Sequence, residues 1–189
     1  MATWDDAYNG IVALLEYCGE DPNREGLQKT PTRVLKMFAE ITAGYQQDPK
    51  QILSTTFEQK FDELVCLRNV RFASTCEHHL ASFTGFVTVG YLPKKRVVGL
   101  SKLARLVECF SKRLTIQERL TQQISEALME HLDCHGAACL IEGRHNCMCT
   151  RGVLKPEASM VTSCLLGAFR KDAKLRAEFF AVANNRNQL

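Results

Sequence analysis

Two short clusters of cysteine and histidine contain the residues of this sequence best suited to chemistry. They are Cys76-Glu77-His78-His79 and His145-Asn146-Cys147. A thiolate and an imidazole three residues apart, here Cys76 and His79, can bind one zinc ion where the chain curls, and Cys147 could supply a third ligand. Three protein ligands leave the fourth position open to water, which is typical of catalytic zinc. Because His78 and His145 would remain free as proton carriers, the clusters indicate metal-assisted hydrolysis.

Single members of these clusters could also have purely structural roles. An isolated Cys-x-x-His pair is more often a buried thiol beside a surface histidine, but the polar loop around Cys76 favours access to a ligand. Cys149 competes with Cys147 as a ligand, because in an extended strand the two side chains would share a face. His131 and His135 are four residues apart at a predicted helix end and could pair on a metal, but we expect them to be cations that complement the helix dipole.

Several basic residues could hold an anionic ligand. Lys102 and Arg105 are three residues apart and share one face of a predicted helix, Arg151 follows the second cluster, and Arg33 opens another predicted helix. Each of them alone is better explained as a solvated surface charge, but their positions beside the candidate metal cluster and the helix starts indicate an anionic ligand. The sequence contains neither of the glycine-rich phosphate-binding motifs Gly-x-x-x-x-Gly-Lys-Ser/Thr and Gly-x-Gly-x-x-Gly. Side chains and helix termini would therefore have to hold any phosphates.

One glutamate has two competing interpretations. The stretch Thr115-Ile116-Gln117-Glu118 matches a capping box, in which Glu118 would stabilise the start of a helix by about 1 kcal/mol. A carboxylate can also accept paired N–H groups from the Watson–Crick edge of guanine. Both interpretations remain open at this point.

Composition bounds the class of protein. The chain has 189 residues, of which 46% are hydrophobic and 24% charged, as in ordinary globular domains. A net charge of +3 gives no argument for nucleic acid. The N-terminus has no apolar signal, and no apolar run approaches the roughly 18 residues that span a bilayer. We therefore expect a cytoplasmic protein that binds neither membrane nor nucleic acid, with its nine cysteines as thiols or metal ligands.

The hydrophobic pattern predicts the elements that must position these residues. Helical spacing predicts helices over 3–18, 30–44, 115–132 and 172–183 and another from near Ser101. Runs of β-formers predict strands over 64–67, 70–72, 83–91, 96–99, 137–141 and 160–162. The pattern indicates an α+β domain with helices on one face of an antiparallel sheet, and a bare face that favours oligomerisation. We expect an N-terminal helical segment over 1–60 and a catalytic core over 61–189, within one globular unit.

Four motifs in order resemble the GTP cyclohydrolase I family over about residues 30–179. They are Cys76-Glu77-His78-His79, the heptapeptide at 99–105 (GLSKLAR), the octapeptide at 117–124 (QERLTQQI) and the octapeptide at 145–152 (HNCMCTRG). The resemblance implies a tunnelling-fold subunit in a toroidal homodecamer of two pentamers, with active sites at subunit interfaces. It implies hydrolytic opening of the imidazole ring of GTP, release of formate and rearrangement to 7,8-dihydroneopterin triphosphate.

The resemblance also implies a role for each matching residue. Zinc would be held by Cys76, His79 and Cys147. The catalytic set would be His78, which we expect to protonate N7 of the purine, His145, which would assist later proton transfers, and Ser101, which would contact the ribose. Substrate would be bound by the following residues: Glu118 and Gln117 at the guanine, and Lys102, Arg105, Arg151 and Arg33 at the triphosphate.

Two further hypotheses compete with this one. Another tunnelling-fold purine or pterin enzyme would keep the guanine-binding glutamate without needing three zinc ligands. A zinc-stabilised nucleotide-binding or assembly subunit would need the metal for folding but would tolerate loss of His78 and His145. Retention of the three ligands argues against the first, and the two spare histidines argue against the second.

Overall fold

The computed structural model describes residues 2–185, which form two compact units divided between Ala43 and Gly44. The first unit contains α1 (Trp4–Tyr17) and α2 (Thr30–Ile41). A capping box begins α1: the backbone N–H of Thr3 donates to Asp6 Oδ2 at 2.7 Å, and that of Asp6 donates to Thr3 Oγ1 at 3.2 Å. Both predicted helices are present. The boundary lies before residue 60, so 44–60 belong to the second unit.

The second unit alternates strands and helices. In chain order it contains α3 (Pro49–Leu53), β1 (Thr56–Glu58), β2 (Val65–Cys76), β3 (Ser82–Pro93), β4 (Arg96–Val98), α4 (Leu100–Ser111), β5 (Leu114–Thr115), α5 (Gln117–His131), β6 (Cys134–His145), α6 (Asn146–Cys149), β7 (Met160–Gly167), α7 (Ala168–Lys171) and α8 (Ala173–Asn184). His131 ends α5 as expected, but His135 lies in β6, so the expected placement of both histidines at one helix end is wrong for His135.

The main sheet has five strands in the order β5-β2-β3-β6-β7. The pairs β2–β3, β3–β6 and β6–β7 are antiparallel, whereas the short β5 runs parallel to β2. A second sheet consists of β1 and β4. Because β3 and β6 pair over nearly their whole length, the start of β3 lies beside the end of β6.

The hydrophobic core lies between one face of the sheet and the helices α4 and α5. It includes Val87, Val89 and Ile141 from the strands, and Leu106 and Ile124 from the helices. This is the predicted arrangement of helices on a sheet face.

Part of the second face of the sheet is covered by α8. Phe179 packs against Ala138 there. The absence of a side chain at Gly90 makes room for the Phe179 ring, because a Cβ at Gly90 would lie 2.9 Å from that ring. Elsewhere Phe86 and Val161 are 46% and 60% exposed. Within residues 2–185, the structure contains no helix that combines the length and the apolar character needed to cross a membrane.

Candidate active site

Two cysteines and one histidine form a group that could hold a metal ion. Cys76 ends β2, His79 lies in the loop that follows, and Cys147 lies in α6. Their ligand atoms are all within 4.8 Å of one another. Tetrahedral zinc with bonds of about 2.0–2.3 Å places its ligand atoms about 3.4–3.8 Å apart, so a small adjustment of side chains would accommodate one ion.

The loop between β2 and β3 curls as a metal site requires. The backbone N–H of Cys76 donates to the Ala81 carbonyl at 2.8 Å, and that of Leu80 donates to the Cys76 carbonyl at 2.9 Å. The turn is tight enough to place Leu80 in the left-handed region, with a φ of 53° that is uncommon for a side chain of this size. The N–H of Glu77 donates to the Thr115 carbonyl at 3.1 Å, which anchors the loop to β5.

Cys147, the cysteine ligand from the second cluster, lies in the short helix α6 and not in a strand. Asn146 Nδ2 donates to Ser82 Oγ at 2.8 Å, which ties the start of α6 to the start of β3. Burial raises the pKa of the Cys147 thiol, and the neighbouring Cys76 raises it further. A bound cation would reverse that effect by favouring thiolates. Positions two apart on a helix diverge, so the predicted shared face of Cys147 and Cys149 is wrong, and Cys149 lies outside the group.

The two candidate proton carriers occupy different environments. His78 is exposed in the loop. His145 ends β6 and is half-buried, with its ring stacked on that of Phe83 at a centroid distance of 4.5 Å and an interplanar angle of 5°. Burial lowers the pKa of His145, while the charge of Glu118 opposes that shift. The Nε2 of His145 lies 3.0 Å from Oε1 of Gln117, a side chain with no exposed surface.

The start of α5 brings a carboxylate towards the same region. Glu118 is exposed in the first turn, and the helix cap at Ile116 makes no side-chain hydrogen bond, so the capping-box interpretation is wrong. Thr115 Oγ1 instead donates to the Ile116 carbonyl at 3.1 Å. A cleft of about 490 Å³ lies between α5 and β7, and Glu118 lines it together with Thr162 and Cys164.

An ion pair joins the loop between β2 and β3 (residues 77–81, called the metal loop below) to α5. Arg119 forms two hydrogen bonds with the Glu77 carboxylate, one of them from Nη2 to Oε1 at 3.1 Å. The Arg119 guanidinium holds the pKa of the Glu77 carboxyl below its usual range. No sequence motif indicated this contact, because it joins residues 42 apart.

The predicted anion-binding residues lie on separate elements. Arg151 lies close enough to Cys147 for its charge to lower the pKa of that thiol slightly. Arg33 is exposed on α2, in the first unit. Ser101, Lys102 and Arg105 lie in the first half of α4 and none of them is buried.

The start of α4 lies at the end of the sheet opposite the metal loop. The N–H of Val98, just before α4, donates to the Tyr91 hydroxyl at 2.9 Å. Tyr91 lies nine residues along β3 from Ser82, a rise of about 30 Å at about 3.4 Å per residue. Ser82 adjoins the metal loop. One chain therefore does not bring Ser101 and its neighbours to the metal group.

Comparison with known proteins agrees with this geometry. Residues 7–184 match the family model of GTP cyclohydrolase I. The chain belongs to the GTP cyclohydrolase I family. It is 53% identical over 180 residues to GTP cyclohydrolase 1 of Campylobacter lari, with 95% of each chain covered. The corresponding protein of Campylobacter jejuni subsp. doylei is 49% identical over 180 residues, again with 95% of each chain covered.

A relative from a different genus gives the same result. GTP cyclohydrolase 1 of Wolinella succinogenes is 49% identical over 170 residues, which cover 89% of this chain and 91% of the relative. Membership of the GTP cyclohydrolase I family confirms the resemblance seen in the sequence motifs and the predicted α+β tunnelling fold.

The metal group leads to a prediction about the two neighbouring cysteines of α6. We expect Cys147→Ala to reduce the bound metal from about one ion per chain to a small fraction of that, because two ligands remain. The matched variant Cys149→Ala should keep the metal content of the unmodified protein. Elemental analysis after gel filtration measures both variants. Equal loss in the two variants, or loss in Cys149→Ala alone, would contradict the assignment.

Proposed function

We propose that this chain is a zinc-dependent GTP cyclohydrolase I, which opens the imidazole ring of GTP, releases formate and forms 7,8-dihydroneopterin triphosphate. The observation that carries the proposal is the convergence of the Cys76, His79 and Cys147 ligand atoms within 4.8 Å, in a chain of this family. His78, His145 and the Glu118 end of the cleft lie towards the same end of the sheet, so candidate metal ligands, proton carriers and a base-binding group are available together.

The donor set suits zinc. Two thiolates and one imidazole are soft and borderline ligands, which favour Zn²⁺ over Mg²⁺ or Ca²⁺. Bound there, zinc would supply an activated water for the hydrolytic step. The protein contributes a rigid frame, because the loop hydrogen bonds of Cys76 and the anchor of Asn146 on Ser82 hold the ligands from both sides.

The two histidines divide the proton transfers. We assign protonation of the purine N7 to His78, whose exposed ring adjoins the ligand His79 at a centroid distance of 6.4 Å. A proton on N7 makes C8 more electrophilic, so water adds there. His145, held by stacking on Phe83, would move protons during the C–N cleavage and the later rearrangement of the sugar.

The base and the triphosphate are bound at different elements. Glu118 is exposed in the cleft beside α5, where its carboxylate can accept the N1–H and the 2-amino group of guanine. Lys102, Arg105 and Arg151 are cations suited to a triphosphate of about four negative charges, and Arg33 is proposed as a fourth. Ser101 is proposed to contact the ribose.

The separation of these groups along one chain supports an active site shared between copies. The start of α4 adjoins Tyr91, and Tyr91 is a strand rise of about 30 Å from Ser82 beside the metal loop, so Ser101 and Lys102 would have to come from a neighbouring subunit. Arg105, one turn further along α4, is proposed to come with them. The outer edge of β7 is a free sheet edge among the described residues, and such edges invite pairing with another chain. Both features agree with the proposed homodecamer of two pentamers.

The reaction class can be tested directly. We expect the zinc-loaded protein to convert GTP to formate and to a pterin that fluoresces after oxidation, and we expect prior chelation to abolish both products. Formate assay and fluorescence detection after chromatography measure them. Intact GTP binding to the zinc-loaded protein without either product would contradict the proposal and would favour a nucleotide-binding subunit.

Shared active sites predict complementation between two inactive variants. We expect His78→Ala and Lys102→Ala to be inactive alone and to regain about a quarter of the unmodified activity when unfolded together and reassembled at equal amounts, since random mixing restores about one site in four. A mixture of His78→Ala with His145→Ala should show no recovery above the residual activities of the two variants, because both histidines of a site would come from one chain and every site would lack one of them. Mixed oligomers without recovered activity in the first pair would show that each site lies within one chain.

The role of Glu118 predicts a change in base selectivity with little change in stability. Glu118→Gln loses charged acceptors for the guanine N–H groups, so we expect kcat/KM for GTP to fall at least about tenfold. The preference for GTP over inosine triphosphate, which lacks the 2-amino group, should shrink as well. The melting temperature should fall by only a few degrees, because Glu118 makes no capping bond and its charge in the first turn contributes only about 0.3–1 kcal/mol through the helix dipole. Glu130→Gln, exposed on the same helix, is the control, and an equal loss there would refute the assignment.

A further inference from the structure

The buried amide of Gln117 has a fixed orientation. The side chain is completely enclosed, and its Nε2 donates to the carbonyl oxygens of Ile141 and Met160 at 3.2 and 2.9 Å. Thr162 Oγ1 lies 3.1 Å from the same nitrogen, so the two amide hydrogens are shared among three acceptors. Because carbonyl oxygens only accept hydrogen bonds, the NH₂ end of the amide must face the two carbonyls. The oxygen Oε1 is therefore the atom that faces His145.

Two threonine hydroxyls complete this network. Thr121 Oγ1 donates to the backbone carbonyl of Gln117 at 2.7 Å, and the hydroxyls of Thr121 and Thr162 are 2.6 Å apart. Since the Thr121 proton is used, Thr162 donates to Thr121 and keeps a lone pair for Gln117 Nε2. A flipped amide would set its oxygen against the two carbonyl oxygens and deprive these acceptors of their amide donor, which is costly in a protein interior.

The orientation of the amide determines the protonation pattern of the histidine. His145 Nε2 lies 3.0 Å from Oε1, which can only accept a hydrogen bond, so Nε2 carries a hydrogen. A neutral imidazole has a single N–H, and its lone pair is therefore on Nδ1. Stacking on Phe83 fixes the plane of the ring. Together these contacts leave Nδ1 as the ring nitrogen that the amide does not engage.

We propose that Gln117 is a positioning residue that fixes the tautomer and the orientation of His145, with the hydrogen on Nε2 directed at the amide oxygen and the lone pair of Nδ1 presented to the substrate. This role rests on the proposed function and deepens it, because it assigns the Gln117 side chain to His145 instead of the guanine base. The backbone of β6 agrees with this role. A Cβ at Gly143 would lie 2.3 Å from Gln117 Oε1, so the strand has no side chain at the position where the amide reaches His145.

The test replaces the amide while keeping the length of the side chain. In Gln117→Met we expect kcat for GTP to fall about tenfold or more and KM to stay within about twofold, because the contact acts on proton transfer and not on binding. Gly143→Ala, which forces Oε1 away from His145, should lower kcat in the same way. The control is Ser125→Ala, because Ser125 is also buried on α5 and its hydroxyl donates to a β7 carbonyl, that of Cys164, at 3.2 Å.

A double variant separates a positioning role from a structural one. If Gln117 acts through His145, adding Gln117→Met to His145→Ala should lower the single-turnover rate by less than about twofold, because the group to be positioned is already absent. Melting temperatures are measured for every variant. The proposal is wrong if the losses from the two substitutions multiply, or if Gln117→Met raises KM while kcat is retained. It is also wrong if kcat falls only in proportion to the fraction of unfolded protein. Ser125→Ala shows how much kcat is lost through destabilisation alone.

Different results would overturn the positioning role and the proposed function. Absence of formate and pterin from the unmodified, zinc-loaded protein would overturn the proposed function itself. Normal turnover by the unmodified protein with unchanged kcat in both Gln117→Met and Gly143→Ala would overturn only the positioning role.

Discussion

The antiparallel register of β3 with β6 is the constraint on which the candidate site depends. It places Phe83 opposite His145, and it brings the loop before β3 to the helix after β6. Cys76 and His79 come from the first segment and Cys147 from the second, so the metal group exists only because these strand ends meet. A slip of one residue would turn His145 to the other face of the sheet and separate it from both Phe83 and Gln117.

The first turn of α5 places three polar side chains around the strand ends that bring the metal group together. Gln117 faces inward and bonds to both β6 and β7, whereas the next residue, Glu118, faces solvent in the cleft. The residue after that, Arg119, pairs with Glu77 of the metal loop. Three consecutive residues of one helix therefore face His145, the cleft between α5 and β7, and the loop after β2, because successive positions on a helix point about 100° apart.

Much of this arrangement could be predicted from sequence. The spacing of Cys76, His79 and Cys147 identified the ligand group, and β-branched runs identified the long strands. Two predictions from local motifs were wrong. The capping box at Thr115 is not formed, and the segment around Cys149 is a helix where an extended strand was expected. In both cases tertiary contacts decide: Gln117 is drawn into the sheet, and Asn146 binds Ser82. The contacts of Gln117 with His145 and of Arg119 with Glu77 span 28 and 42 residues and depend on strand register, which a single sequence does not specify.

The length of the sheet has a consequence for how such a site can work. Strands of 12 residues extend about 40 Å, so residues at their two ends cannot contact one small ligand within a chain. The metal group and His145 lie at one end, and the exposed cations of α4 begin at the other. If both bind one nucleotide, each subunit supplies the reacting end of one site and the anion-binding end of another. Substrate binding would then require correct assembly, because an isolated chain could hold the metal but would lack the α4 cations that bind the triphosphate at that site.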